Sequence, residues 1–157
     1  MNKQQFIAAM SQSWQQATAL GLNVNKAVCF AQAALETGWL TDTLGAKYYN
    51  LFGMKVTKAW PGESVNLRTS EFYNGNWDED VKDNFKVFPT FADCMHNYSQ
   101  MINLNARYWT APRKYLNNAD GFLREIAKGG WATDPKYFDK VKARGLEIEK
   151  AGGPKWS

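Results

Sequence analysis

The chain is poor in the groups that carry metal and thiol chemistry. Its 157 residues include one histidine, His96, and two cysteines, Cys29 and Cys94. A single imidazole excludes zinc sites built on two or three histidines. Without a CxxC pair, structural zinc and thioredoxin-like redox are disfavoured as well. Neither GxxxxGK[ST] nor a strand-linked GxGxxG occurs, which removes the common phosphate cradles. Long apolar runs are missing too, and the longest fall far short of the roughly 20 residues that span a bilayer. The opening MNKQQFIAAMSQSW has one lysine and no uninterrupted apolar core, so no secretory leader is expected in it. What remains is carboxylate chemistry, hydroxyl or thiol chemistry, or binding alone.

Against these absences stands a surplus of aromatics. Seven Trp, seven Tyr and nine Phe make up 15% of the chain. Most will be core, but Trp and Tyr also suit a sugar cleft, where a ring face stacks on a pyranose and the polar edge hydrogen-bonds. The net charge of +4 favours anionic partners, among them a cell-wall polymer. The length fits one domain that buries a core without staples. Residues 1–150 are assigned to it, with a frayed tail at 151–157.

Hydrophobic spacing predicts a first helix from Lys3 to about Leu20, capped by Asn2 and ended by Gly21. A second, capped by Asn25, runs to about Gly38 and is nearly all small or apolar, hence buried. Glu36 stands out at its C-terminal end. The negative end of the helix dipole and partial burial both raise a carboxyl pKa, as a general acid requires. From spacing alone, an exposed helix edge is the favoured reading of Glu36. From Val65 to Phe72 the pattern alternates and meets Asn74-Gly75, a hairpin signal. The return strand is expected from Val81 or Lys82 to Phe88, with NWDEDV as a loose tip. Glu71, near the tip, is by spacing alone no more than a solvated edge charge. Thr90 and Asp93 cap a helix with a Phe91, Cys94, Met95, Tyr98, Ile102 stripe. A short helix spans Ala119 to Lys128, and Asp134-Pro135 opens a last one to about Glu149. Five or six helices around a small antiparallel hairpin make an α+β fold.

Four stretches in order carry a resemblance: AQAALETGW (31–39), YYNLFGMK (48–55), TSEFYNG with FKVFPTFADCMHNY (69–75 and 85–98), and WATDPKY (131–137). Together they resemble the peptidoglycan-cleaving N-acetylglucosaminidases of glycoside hydrolase family 73. That family includes flagellar rod-cap hydrolases, autolysins and phage endolysins. The resemblance implies a lysozyme-like α+β fold, with a mainly helical lobe, a small antiparallel β-hairpin lobe and a cleft between. It implies Glu36 as general acid and Glu71 as base or water-positioning partner. Trp39, Asn50, Phe52 and Gly53 match cleft-lining positions, and Trp131 and Tyr137 join them as substrate-binding positions. Two departures stand out. Leu40 replaces a common Gly, so the turn there is expected to differ. Trp131 replaces a Tyr, which keeps the stacking face and loses a hydroxyl.

Glycoside hydrolysis needs a proton for the leaving oxygen and a nucleophile or activated water at the anomeric carbon. Glu36, buried against Trp39 and Phe52, would supply the proton, and Glu71 would orient water. Retention, inversion and attack by the substrate's own acetamido group all stay open, with Glu63 and Asp78 as spare bases. The other tempting groups read as structural. Cys29 with His96 would make a thiol–imidazole pair, but both thiols lie on apolar stripes, and buried inert cysteine is favoured. RYWTAPRK (107–114) is read as a cleft wall or loop, not a nucleic-acid contact. WDEDVKD (77–83) resembles a calcium loop only loosely. The implied function is an endo-β-N-acetylglucosaminidase acting on the peptidoglycan glycan strand. The alternatives are a muramidase on the same fold and a non-catalytic glycan-binding or phage structural module. No cofactor, metal, nucleic acid or stable membrane insertion is expected, and the chain is expected to be a monomer. The setting expected is that of a phage or prophage endolysin, made in the cytoplasm without a leader and acting on the wall in the periplasm.

Overall fold

A computed structural model describes the whole chain apart from the side chains of residues 79 and 80. Helix α1 (Lys3–Thr18) opens on a capping box in which Asn2 and Gln5 satisfy each other's backbone N–H groups. Helix α2 (Lys26–Thr37) is capped by the Asn25 side chain and closed by Gly38 in the left-handed conformation. Short α3 (Thr43–Tyr48) follows, capped by Asp42. Strands β1 (Ser64–Tyr73) and β2 (Asn76–Lys86) form an antiparallel hairpin, and Lys55 adds an isolated bridge to Phe85. Then come α4 (Phe91–Leu104), α5 (Thr110–Tyr115), α6 (Ala119–Lys128) and α7 (Tyr137–Lys150).

Helix α2 is the central post. Its alanines, with Val28, Cys29 and Phe30, are buried, and it packs against α7, α1, α3 and α6. Phe6 and Met10 of α1, Tyr98 and Ile102 of α4, and Ile126 of α6 close the core around it. The hairpin projects from this helical body. The architecture is therefore the expected lysozyme-like α+β fold, with a helical lobe and a small β lobe. Among the described residues, no helix is long and apolar enough to cross a membrane.

Four expectations need correction. The hairpin has no loose tip: Asn74 and Gly75 both take positive φ (51° and 80°), and pairing resumes at Asn76. A two-residue turn of this kind matches the strands' twist, so the return strand starts well before Val81. The last helix begins at Tyr137 rather than at Asp134-Pro135. There the Asp134 carboxylate folds a turn by accepting the Lys136 N–H (2.9 Å). Helices α3 and α5, too short to show a hydrophobic period, bring the number among the described residues to seven.

The tail is docked, not frayed. Trp156 donates its indole N–H to Asp120 (2.7 Å) and lies over Gly145, where an added Cβ would come within 2.2 Å of the ring. The Ala119 N–H donates to the Ser157 carbonyl. Trp156→Ala is therefore expected to lower unfolding free energy by about 2 kcal/mol in denaturant titration, since it removes a half-buried aromatic and a hydrogen bond. A loss within about 0.5 kcal/mol, as for an exposed side chain, would mean the tail contributes nothing.

Candidate active site

Glu36 sits on the last turn of α2, half-buried, where the chain leaves the helix through three consecutive left-handed residues: Gly38, Trp39 and Leu40 (φ 55°, 62° and 63°). Leu40 thus adopts the conformation a Gly would favour. Its strain, about 1 kcal/mol, is offset by a buried side chain and by the Leu40 N–H bonded to Thr37 Oγ1 (2.9 Å). The Glu36 carboxyl is pushed up to about 7, mainly by burial. A hydrogen bond from Tyr137 opposes the shift, while the charges of Asp42 and Glu71 add to it. The Tyr137 hydroxyl donates to Oε1 (3.1 Å). Oε2 faces Gly53, where an added Cβ would stand 3.4 Å away.

Glu71 lies near the end of β1, next to a register shift between Thr69 and Glu71. Its side chain is only 13% exposed and fully engaged. Lys55 donates to Oε1 (2.6 Å) and Thr133 donates to Oε2 (3.0 Å). Lys55 also pairs with Asp83 (2.9 Å). Thr133 Oγ1 in turn accepts the Phe72 N–H (3.1 Å), and Lys140 of α7 lies over the Trp77 ring (5.5 Å). The hairpin is thereby moored to residues 131–140. Of the spare bases, Asp78 stands across the ladder from Glu71 and Glu63 is exposed.

The two carboxyl groups are thus brought together, close enough for one charge to act on the other. Segment 50–55 places Gly53 against Glu36 and Lys55 on Glu71. Segment 131–137 places Tyr137 on Glu36 and Thr133 on Glu71. Lys55, Thr133 and Gln32 were not singled out from the sequence, although each lies inside a quoted motif. A buried amide four residues before Glu36 on one helix face was the available signal for Gln32.

Other expected cleft residues turn inward. Asn50 is 1% exposed and spends its amide on the backbone: Nδ2 donates to the Met54 and Lys86 carbonyls (both 2.9 Å), and Oδ1 accepts the Met54 N–H (3.0 Å). It shapes the loop that presents Gly53 and has no donor left for a sugar. Phe52 is buried and stacked on Tyr98 (4.1 Å), and the Trp39 ring packs on Phe6 and under Lys3 of α1. The aromatic that bonds Glu36 is Tyr137. Trp131 is half-buried, and the phenols packed on its ring are those of Tyr98 and Tyr108.

The remaining candidates are structural. Cys29 and Cys94 are buried and unbonded to each other as a disulfide, and burial pushes both thiols up, away from the reactive thiolate. His96 Nδ1 lies 3.0 Å from the Gly21 carbonyl. In residues 107–114 the Arg113 guanidinium stacks on Trp109 (4.3 Å) within the α5 region. Of the loose calcium-loop pattern, residues 79 and 80 lie outside the described side chains. Two surface recesses, one between residues 22–27 and the tail and one at 112–118, share no lining residue with the carboxylate site.

Residues 12–148 match the family described as "Glucosaminidase: Mannosyl-glycoprotein endo-beta-N-acetylglucosaminidase". The chain belongs to this glucosaminidase family. A peptidoglycan hydrolase FlgJ from Vibrio parahaemolyticus is 35% identical over 136 residues, 83% of this chain and 43% of that protein. Exo-glucosaminidase LytG of Bacillus subtilis is 30% identical over 77% of this chain and 43% of its own length. The chain thus spans about two fifths of these curated relatives. Among solved structures, a peptidoglycan hydrolase mutant from Sphingomonas sp. A1 superposes with a TM-score of 0.80 at 30% identity, covering 94% of this chain and 96% of that one. A truncated glycoside hydrolase domain of Salmonella typhimurium FlgJ gives 0.72 at 28% identity, covering 95% and 99%. The glucosaminidase assignment fits the observed pair of carboxyl groups.

Two measurements check the geometry. Gly53→Ala forces a side chain into φ +62° beside Oε2. It is expected to cost about 1 kcal/mol of stability and to reduce turnover; a wild-type melting curve would contradict it. Glu36 binds its proton more tightly folded than unfolded, so its contribution is whole below the ordinary carboxyl range and is lost as pH rises through about 7. The stability advantage of Glu36→Gln over wild type should therefore grow between about pH 5 and about pH 8. A constant difference across that range would exclude the raised pKa.

Proposed function

We propose that this chain is a peptidoglycan hydrolase that cuts the glycan strand of the bacterial wall as an endo-β-N-acetylglucosaminidase. The observation that carries the reading is the pair of unlike carboxyl groups. One is half-buried and pushed up to about 7, and the other is held by an ammonium group and a hydroxyl. A carboxyl that holds its proton beside one bound by an ammonium group and a hydroxyl suits the two roles glycoside hydrolysis needs. Glu36 holds its proton near neutral pH and delivers it to the leaving glycosidic oxygen. Glu71, oriented by Lys55 and Thr133, steers the water that attacks the anomeric carbon. The moored hairpin keeps the second acid at a fixed place beside the first.

The relatives are named as bacterial peptidoglycan hydrolases and an exo-glucosaminidase. Those names favour wall remodelling in a bacterium over the phage or prophage endolysin expected from the sequence. In either setting the substrate is wall glycan, reached outside the cytoplasmic membrane, and the chain acts as a monomer. The basic balance of the sequence favours adhesion to anionic wall material.

Purified Glu36→Gln should leave peptidoglycan turbidity unchanged while keeping its fold, and appreciable turnover in it would end the assignment. Glu71→Gln is expected to lose most but not all activity. Digests reduced with borohydride should yield glucosaminitol ends. Muramitol ends would make the enzyme a muramidase, and release of single sugars would make it an exo-enzyme. Wild-type protein that binds wall without cutting it would be a glycan-binding module.

A further inference from the structure

We propose that Gln32 is a positioning residue that decides which oxygen of Glu36 carries the proton, by fixing the direction of the Tyr137 hydroxyl. The inference rests on Glu36 being the proton donor. Gln32 is fully buried on α2, one turn before Glu36, and both ends of its amide are bonded. Its Oε1 accepts from the Tyr98 hydroxyl, and its Nε2 donates to the Tyr137 oxygen (2.9 Å). A phenol has one proton to give. Tyr98 gives its proton to the amide oxygen, so the amide turns its N–H to Tyr137. Tyr137, already accepting there, is left to donate to Glu36 Oε1.

The consequence lies on the carboxyl. An oxygen that accepts a hydrogen bond is the carbonyl-like one, so the acidic proton resides on Oε2. Oε2 is the oxygen beside Gly53, the one residue of the 50–53 turn with no side chain to cover it. The chain from Tyr98 through Gln32 and Tyr137 to Glu36 thus links α4, α2 and α7 and aims the proton out of the helical lobe. A buried amide on an otherwise apolar helix costs free energy unless its partners are in place, and here both are. The titratable groups facing this chain are Asp42 from the start of α3, Glu71 from β1, and Cys29 behind Tyr98.

The test is a titration of the Glu36 side-chain carboxyl by carbon-13 NMR in the full chain, alongside turnover against pH on purified peptidoglycan. Tyr137→Phe removes the bond to Oε1 and should move the Glu36 midpoint up. Gln32→Met, which keeps the volume, should move it the same way by less. Its kcat should fall roughly tenfold or more through lost orientation, with KM unchanged. Tyr98→Phe, which deletes only a hydroxyl, should also move the midpoint up, because the amide is then free to reverse. It serves as the second variant should Gln32→Met fail to fold. A merely structural Gln32 would lower the melting temperature without moving the midpoint. An unmoved or lowered midpoint in Gln32→Met, or in Tyr98→Phe where that is the variant that folds, overturns the proposal. If Glu36→Gln itself retains turnover, the general-acid reading falls instead.

Discussion

The site depends on one constraint: a carboxyl group held half out of water at the end of an apolar helix. Withdrawal from solvent penalises the charged form, and that penalty is the largest contribution to the raised Glu36 pKa. The other features act on this one. The Tyr137 bond to Oε1 moderates the shift, the charges of Asp42 and Glu71 add to it, and Gly53 stands beside Oε2. A fully buried carboxyl would be too weak an acid and out of reach, and a fully wet one would lose its proton well below neutral pH.

The economy of the arrangement lies in two short segments that each serve both acids. Residues 50–55 bring Gly53 to Glu36 and Lys55 to Glu71, while residues 131–137 bring Thr133 to Glu71 and Tyr137 to Glu36. A displacement of either segment would therefore disturb both carboxyl groups together. The first segment is itself set by Asn50, whose buried amide bonds four backbone groups: the Met54 and Lys86 carbonyls and the Phe52 and Met54 N–H groups. It carries no chemistry of its own, and its place in the motif reflects the turn it organises.

Much of this was legible in the sequence where the signal is local. Asn2, Asn25 and Thr90 cap the helices they were expected to cap, because a cap needs only neighbours within three residues. Asn74-Gly75 marks the hairpin for the same reason, although the strand it starts begins earlier than the alternating pattern predicts. Less legible were the features set by tertiary contact. Six-residue helices such as α3 show no period, and Trp156 is anchored by Asp120 and Gly145, far away in sequence. Helix position marks Glu36 as a candidate, but only the resemblance gives it and Glu71 their roles, because spacing alone reads Glu71 as a solvated edge charge. Their partners Lys55 and Thr133 sat unread inside the same motifs, since sequence order does not show which side chains meet across a hairpin.

Residues that define the site also weaken the fold locally. Three successive residues after α2 hold left-handed backbone, two of them with side chains, and Gln32 and Asn50 place amides in the interior. Such features persist only where the surroundings over-determine them. Here the surroundings are the rest of α2, whose small and apolar residues are buried against four other helices. The same helix therefore supplies both the packing that tolerates the strain and the carboxyl that the strain helps to present. That is why its composition is apolar throughout while its last turn and its one buried amide are polar.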